Sequence, residues 1–238
     1  MIYRYELDGL RAISVMSVIL YHMGISQIGA GYAGVDIFFV ISGFLIGGQI
    51  AKDRAQGTFT YWNFYARRAL RIFPALFFVI ICSTIAGWFI MLPYEFRYFG
   101  GGALSALLSV SNFWFWNIID YFNPDAALDP LVHTWSLAVE EQFYLIWPVV
   151  MLIVAKFGKR RLPIVSAVFF GLAVILAIYT ALVYQPGTIS NIGDTPNQFM
   201  SLFGQSVSRI DFLFLGTLTR SSGLLLGAAL AIWWRPWL

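Results

Sequence analysis

The chain has 238 residues, of which 59% are hydrophobic, 18% aromatic and only 11% charged, with a mean hydropathy of +0.74. A soluble domain carries about 25% charged residues, so the composition argues against a soluble enzyme, a disordered tail and a nucleic-acid binder. The formal net charge is only +3, an excess that fits basic cytoplasmic loops of a membrane protein better than a polyanion-binding surface.

A spanning helix needs ~20 mostly apolar residues. In chain order, apolar stretches run from Ala12 to Val35, Ile37 to Ala51, Ile72 to Tyr94, Tyr98 to Ile119, Ser136 to Ala155, Leu162 to Gly193 and Phe212 to Trp234. They predict an all-α fold, a polytopic transmembrane helix bundle of about seven membrane segments, with residues 1–238 forming one domain. Lys52, Arg54, Arg67, Arg68 and Arg71 make one basic cluster, and Lys156, Lys159, Arg160 and Arg161 make a second. Charge bias places both in the cytoplasm and the loop carrying Asp120, Asp125 and Asp129 outside. Two full crossings after Arg71 would instead return that loop to the cytoplasm. Either one segment is re-entrant or one loop breaks the charge rule, and the sequence leaves both open. The polar, nearly uncharged loop from Gln185 to Asp211 reads as extracytoplasmic.

Ionisable groups at membrane depth are costly and tend to be functional. The first set is Asp8, Arg11 and His22. Arg11 and His22 are eleven positions apart, almost three helical turns, so they share a face about 16 Å apart along the axis. Asp8 is within pairing reach of Arg11 on the preceding turn. This spacing puts Arg11 near the cytoplasmic surface and His22 near mid-bilayer, where burial favours a neutral imidazole. A neutral imidazole can accept a proton from a hydroxyl. The plainer alternative is a buried histidine that hydrogen-bonds a neighbouring helix.

The second set is Arg67, Arg68 and Arg71, gathered on neighbouring faces at a helix start. Guanidinium forks match phosphate oxygens. Anchoring to lipid head groups is the competing reading. The third set follows Asp129-Pro130, a pair that predicts a helix start. On that helix His133, Ser136 and Glu140 fall on one face, with Glu141 about a quarter turn away. They suggest a proton relay, or else a capped interfacial helix anchored by Trp135 and Tyr144. The fourth is Arg220, which either snorkels to an interface or faces an anionic ligand. Gly29, Gly31, Gly34 and Gly43 read as a turn plus close helix packing, not as a dinucleotide site. With a lone Cys82 and no H-E-x-x-H pattern, no metal is expected.

Taken together, these segments resemble the acyltransferase-3 family, integral membrane O-acyltransferases that modify bacterial surface carbohydrates. The resemblance rests on five motifs in order. They are Leu7-Asp8-Gly9-Leu10-Arg11 with His22, and Gly34-Val35-Asp36-Ile37-Phe38-Phe39 running to Ser42-Gly43. Next come Arg67-Arg68-Ala69-Leu70-Arg71-Ile72-Phe73-Pro74 and His133-Thr134-Trp135-Ser136-Leu137 running to Glu140. The last is Thr219-Arg220 with Gly227.

The resemblance implies an enzyme of the bacterial inner membrane that moves an acyl group, usually acetyl, from acyl-CoA to a hydroxyl of a surface glycan. It implies His22 as general base with Arg11 in the same motif, and Arg67, Arg68 and Arg71 at the donor phosphates. It implies His133 and Glu140 as base-orienting or acceptor-contacting groups. The expected partners are acyl-CoA, a lipid-linked or surface glycan and the bilayer, with no nucleic acid. A domain of this family has about ten spans, so the chain is expected to be its N-terminal part, C-terminally truncated. Two rival readings are a proton-coupled transporter subunit and an inactive remnant of such an acyltransferase.

Overall fold

A computed structural model describes residues 5–25, 27, 29–118, 129–156, 161–187, 193–202 and 204–234. Asp120, Asp125, Lys159 and Arg160 lie outside the described residues. Nine α-helices are present among the described residues: α1 (Tyr5–His22), α2 (Ala33–Ala55), α3 (Tyr61–Ile90), α4 (Pro93–Leu107), α5 (Ser111–Ile118), α6 (Thr134–Lys156), α7 (Leu162–Val183), α8 (Arg209–Leu215) and α9 (Thr217–Trp234). Between α7 and α8 lies a small antiparallel hairpin of β1 (Phe199–Leu202) and β2 (Gln205–Ser208). The fold is all-α in class.

Five helical stretches are long and apolar enough to cross a membrane: Ala33–Ala55, Tyr61–Ile90, Thr134–Val154, Leu162–Val183 and Arg209–Trp234. Each matches one of the seven apolar stretches of the sequence. The other two divide differently. The stretch from Ala12 to Val35 is not one helix: α1 stops at His22, where Gly24 takes φ 74° and turns the chain. The stretch from Tyr98 to Ile119 is broken at Ser109, which adopts φ 57°. The helix expected from Asp129-Pro130 begins later, at Thr134, because residues 130–133 form turns that hand their hydrogen bonds on to α6.

The chain folds into two compact units, each assembled from separate stretches. The first contains Met1–Gly57, Phe143–Ala177 and Arg220–Leu238. In it α1 and α2 run antiparallel. Gly34 presses against the Ser14 carbonyl, the Ser17 hydroxyl and Val18, and Ser17 Oγ donates to Ser14 O at 2.8 Å. The α2 and α9 helices run parallel: residues 36 and 39 of α2 meet Gly223, Val40 and Phe44 meet Gly227, and Gly47 meets Ala231. Missing side chains at these glycines let two backbones approach within lipid, where packing replaces the hydrophobic drive. Ser166 Oγ of α7 donates to the Ala229 carbonyl at 2.8 Å. Phe39, Ile46, Ile50, Leu224 and Ala228 are fully enclosed at the centre.

The second unit contains Thr58–Gln142 and Ile178–Thr219. Thr60 caps α3, its Oγ1 accepting from Asn63 N at 3.2 Å. Glu95 caps α4 by accepting from Leu92 N at 2.8 Å. The α4 and α5 helices fold back on each other, Gly101 against Trp114 and Gly102 against Phe115. In both α3 and α7 only 17% of the most apolar window is buried. Exposed apolar helix surface on this scale is disposed for lipid, not water.

Candidate active site

Within the first unit the pairing expected from spacing is present: Arg11 Nη1 lies 3.6 Å from Asp8 Oδ1. The Arg11 Nε is buried without a hydrogen-bond partner. His22 is the last residue of α1, and its side chain is exposed on the helix. Gly34 contacts α1 at Ser14–Val18, so His22 extends past the first turn of α2, at the end away from Lys52 and Arg54. Its Nδ1 is 2.8 Å from the Val18 carbonyl, and Tyr21 meets the ring edge-on with centroids 5.4 Å apart. A carbonyl oxygen only accepts, so Nδ1 is the donor of this bond; in the neutral imidazole the lone pair then lies on Nε2.

Arg220 is neither an interface anchor nor an open anion site. Its Nη1 donates to Asp36 Oδ1 at 2.8 Å, joining the first turns of α9 and α2. Sequence reasoning missed this partner. The signal was available: two opposite charges in two apolar runs are costly alone and less costly together.

Within the second unit, Asp129 and His133 share one turn. Asp129 Oδ1 accepts from Leu131 N at 2.8 Å. Burial raises the Asp129 carboxyl above the ordinary value of 3.8, opposed by the Leu131 hydrogen bond and by His133. Crowding by protein pushes His133 below the ordinary 6.5, opposed by the Pro130 carbonyl and by Asp129, although part of the ring remains exposed. Glu140 is 6% exposed on α6. Glu141 has a buried Oε1 without a hydrogen bond and lies within electrostatic reach of Arg68. The Arg68 guanidinium stands 5.6 Å from the centre of the Phe64 ring. Arg67 and Arg71 are exposed. His133 and Glu140 therefore belong to the same turn and helix as Glu141. Arg11 and His22 belong to the other unit.

A second feature escaped sequence reasoning. Gln142 Nε2 donates to Asn112 Oδ1 at 2.9 Å, Asn112 Nδ2 donates to Thr217 Oγ1 at 3.0 Å, and Thr217 Oγ1 donates to Gln142 Oε1 at 2.5 Å. This closed ring also reaches two carbonyls freed by helix breaks, Ser109 O from Gln142 at 2.8 Å and Leu215 O from Asn112 at 3.0 Å. Backbone groups released inside a membrane must find such partners. Among the described residues no three His, Cys, Asp or Glu side chains converge on a metal site.

The paired Asp8 and Arg11, the histidine with a fixed tautomer and the acidic helix α6 lie on a multi-pass helical scaffold. A family model described as an acyltransferase domain matches residues 4–237. The chain belongs to the acyltransferase-3 family. Among relatives of known name, it is 35% identical over 231 residues to the peptidoglycan O-acetyltransferase OatA of Listeria monocytogenes, covering 96% of this chain and 34% of that protein. It is 37% identical over 238 residues to the O-acetyltransferase OatA of Staphylococcus aureus, covering 97% of this chain and 34% of that protein. The chain thus spans 34% of the length of these curated relatives. No solved structure matches it. In this acyltransferase-3 chain the family resemblance carried by the Asp8–His22 segment coincides with the α1 pairing and with the fixed tautomer of His22.

Proposed function

We propose that this chain is the membrane acyl-transfer part of an O-acetyltransferase in the bacterial inner membrane, moving acetyl from acetyl-CoA to a hydroxyl of a cell-wall glycan. The family match and the names of the two OatA relatives support the reaction class and the peptidoglycan acceptor. The observation that carries the chemistry is His22, whose Nδ1–H is committed to Val18 so that Nε2 is available as a base.

In the proposed step Nε2 of His22 takes the proton of the acceptor hydroxyl as its oxygen attacks the thioester carbonyl. The new C–O ester bond forms, the C–S bond breaks, and the proton passes from the imidazolium to the leaving CoA thiolate. Arg67 and Arg71, exposed beside Arg68, are the side chains suited to the donor phosphates. His133 and Glu140 act as acceptor-contacting or orienting groups, and Arg11, paired with Asp8, stiffens the helix that presents His22.

The test is nucleotide-dependent thermal protection in detergent. Acetyl-CoA is expected to raise the melting temperature, and Arg67→Ala/Arg71→Ala to abolish the rise. A protein indifferent to acetyl-CoA in both forms would sink the donor assignment and favour a transporter.

A further inference from the structure

We infer that residues 93–118 form a re-entrant hairpin that enters and leaves the membrane on the outer side, with its tip held at depth by Gln142. Length is the first argument. The α4 helix has 15 residues and α5 has 8. At 1.5 Å per residue these reach about 22 and 12 Å, short of the ~30 Å hydrocarbon core.

Direction is the second argument. Gly101 meets Trp114 and Gly102 meets Phe115, so after the reversal at Ser109, whose φ is 57°, α5 folds back onto α4 instead of continuing its line. Left-handed backbone at a non-glycine residue persists only where the surroundings impose it. The surroundings here are the closed ring of Gln142, Asn112 and Thr217, with Gln142 Nε2 capping Ser109 O at 2.8 Å. Gln142 lies more than two turns inside α6, which begins at Thr134. Irregular backbone at membrane depth is tolerated where protein covers it and satisfies it.

Charge and parity give two further arguments. With the hairpin returning to its starting side, α3 leaves the cytoplasm after Arg67, Arg68 and Arg71, and α6 re-enters it at Lys156 and Arg161. The loop with Asp120, Asp125 and Asp129 is then outside, and of the described Lys and Arg outside the spans only Arg97, two residues from Glu95, and Arg209, at the start of α8, fall on the outer side. Both basic clusters fall on one side. The parallel packing of α2 and α9 makes an independent check. Parallel helices require an odd number of crossings between them, and α3, α6 and α7 supply three. One more crossing by residues 93–118 would make α2 and α9 antiparallel. On the function proposed above, and resting on it, the open end of the hairpin and the Asp129–His133 turn face the glycan acceptor.

The experiment places single cysteines in the full chain on a Cys82→Ser background, probed with a membrane-impermeant maleimide before and after permeabilisation. Tyr94→Cys and Asp125→Cys are both expected to react on intact cells. Arg54→Cys, Lys156→Cys and Trp234→Cys are expected to react only after permeabilisation. Tyr94→Cys and Asp125→Cys on opposite sides, or both on the inner side, would overturn the hairpin, as would Trp234→Cys opposite Arg54→Cys. Asp120→Cys repeats the loop measurement if Asp125→Cys is poorly produced. The labelling reads no acetyl transfer, so an inactive protein with the expected pattern would remove the proposed function and leave the hairpin standing.

Discussion

The His22 imidazole is hydrogen-bonded through Nδ1 to the Val18 carbonyl one turn earlier on α1, at 2.8 Å. The bond sets both the tautomer and the ring orientation. It leaves Nε2 as the nitrogen that can take a proton, at the end of α1 away from Lys52 and Arg54.

If His22 is the base, His22→Gln removes proton transfer while keeping a side chain able to donate to Val18. Acetyl transfer by the intact protein is then expected to fall by about 10²–10⁴-fold. Protection by acetyl-CoA against heat should persist. Mass spectrometry of wall glycan from cells carrying the variant measures the first, and near-normal acetylation would remove His22 from the mechanism.

The Arg220–Asp36 ion pair stabilises the junction of α2 and α9. Arg220→Met or Asp36→Asn should each cost about 1.5 kcal/mol, the low end of the range for a hydrogen bond to a charged group because Asp36 is half exposed. The exchanged pair Asp36→Arg/Arg220→Asp should recover part of that loss. Thermal melts of the two single variants and of the double variant Asp36→Asn/Arg220→Met give the coupling. Additive losses would mean that the two side chains stabilise the fold separately.

At Gly227 a Cβ would strike the Val40 carbonyl and crowd Phe44 N, whereas at Gly100 nothing lies within 4 Å. Gly227→Ala is therefore expected to destabilise by about 1–3 kcal/mol through overpacking. Gly100→Ala should be neutral or mildly stabilising, since alanine is the better helix former. Equal melting temperatures for the two variants would contradict the close α2–α9 packing.

Partial burial raises the Asp129 carboxyl above its ordinary value in the fold. A carboxyl raised in this way favours its neutral form, so its contribution to stability is full below about pH 4 and is lost as pH rises through the raised value. Asp129→Asn keeps an acceptor for Leu131 N and cannot ionise. The melting temperature of Asp129→Asn relative to the parent should rise between pH 4 and 7. A difference that does not change with pH would show that Asp129 is not held in the neutral form.

Some of the site was readable from local spacing. The Asp8–Arg11 pair needs only one helical turn, and the structure contains it. The cluster of Arg67, Arg68 and Arg71 likewise follows from adjacent positions at a helix start. Hydropathy located the five long apolar helices because membrane-compatible character is a sum over about 20 neighbouring residues. It failed at Ser109 and Gly24, since a reversal inside an apolar run changes backbone torsion without changing hydropathy. It also failed to separate α6 from the turn before it, because Asp129-Pro130 begins a turn as readily as a helix.

The sequence by itself determined that this protein lies in a membrane, that it is helical, and which family its motifs belong to. Those properties follow from composition and from residues within a few turns of one another. Only the tertiary structure decided that Arg220 answers Asp36 across 184 positions, that Gln142 joins Asn112 and Thr217, and that α2 and α9 run parallel. Each of these depends on which helix faces which. That choice is made by backbone approach at glycines and by the cost of leaving polar groups unpaired in lipid, neither of which is encoded in local periodicity.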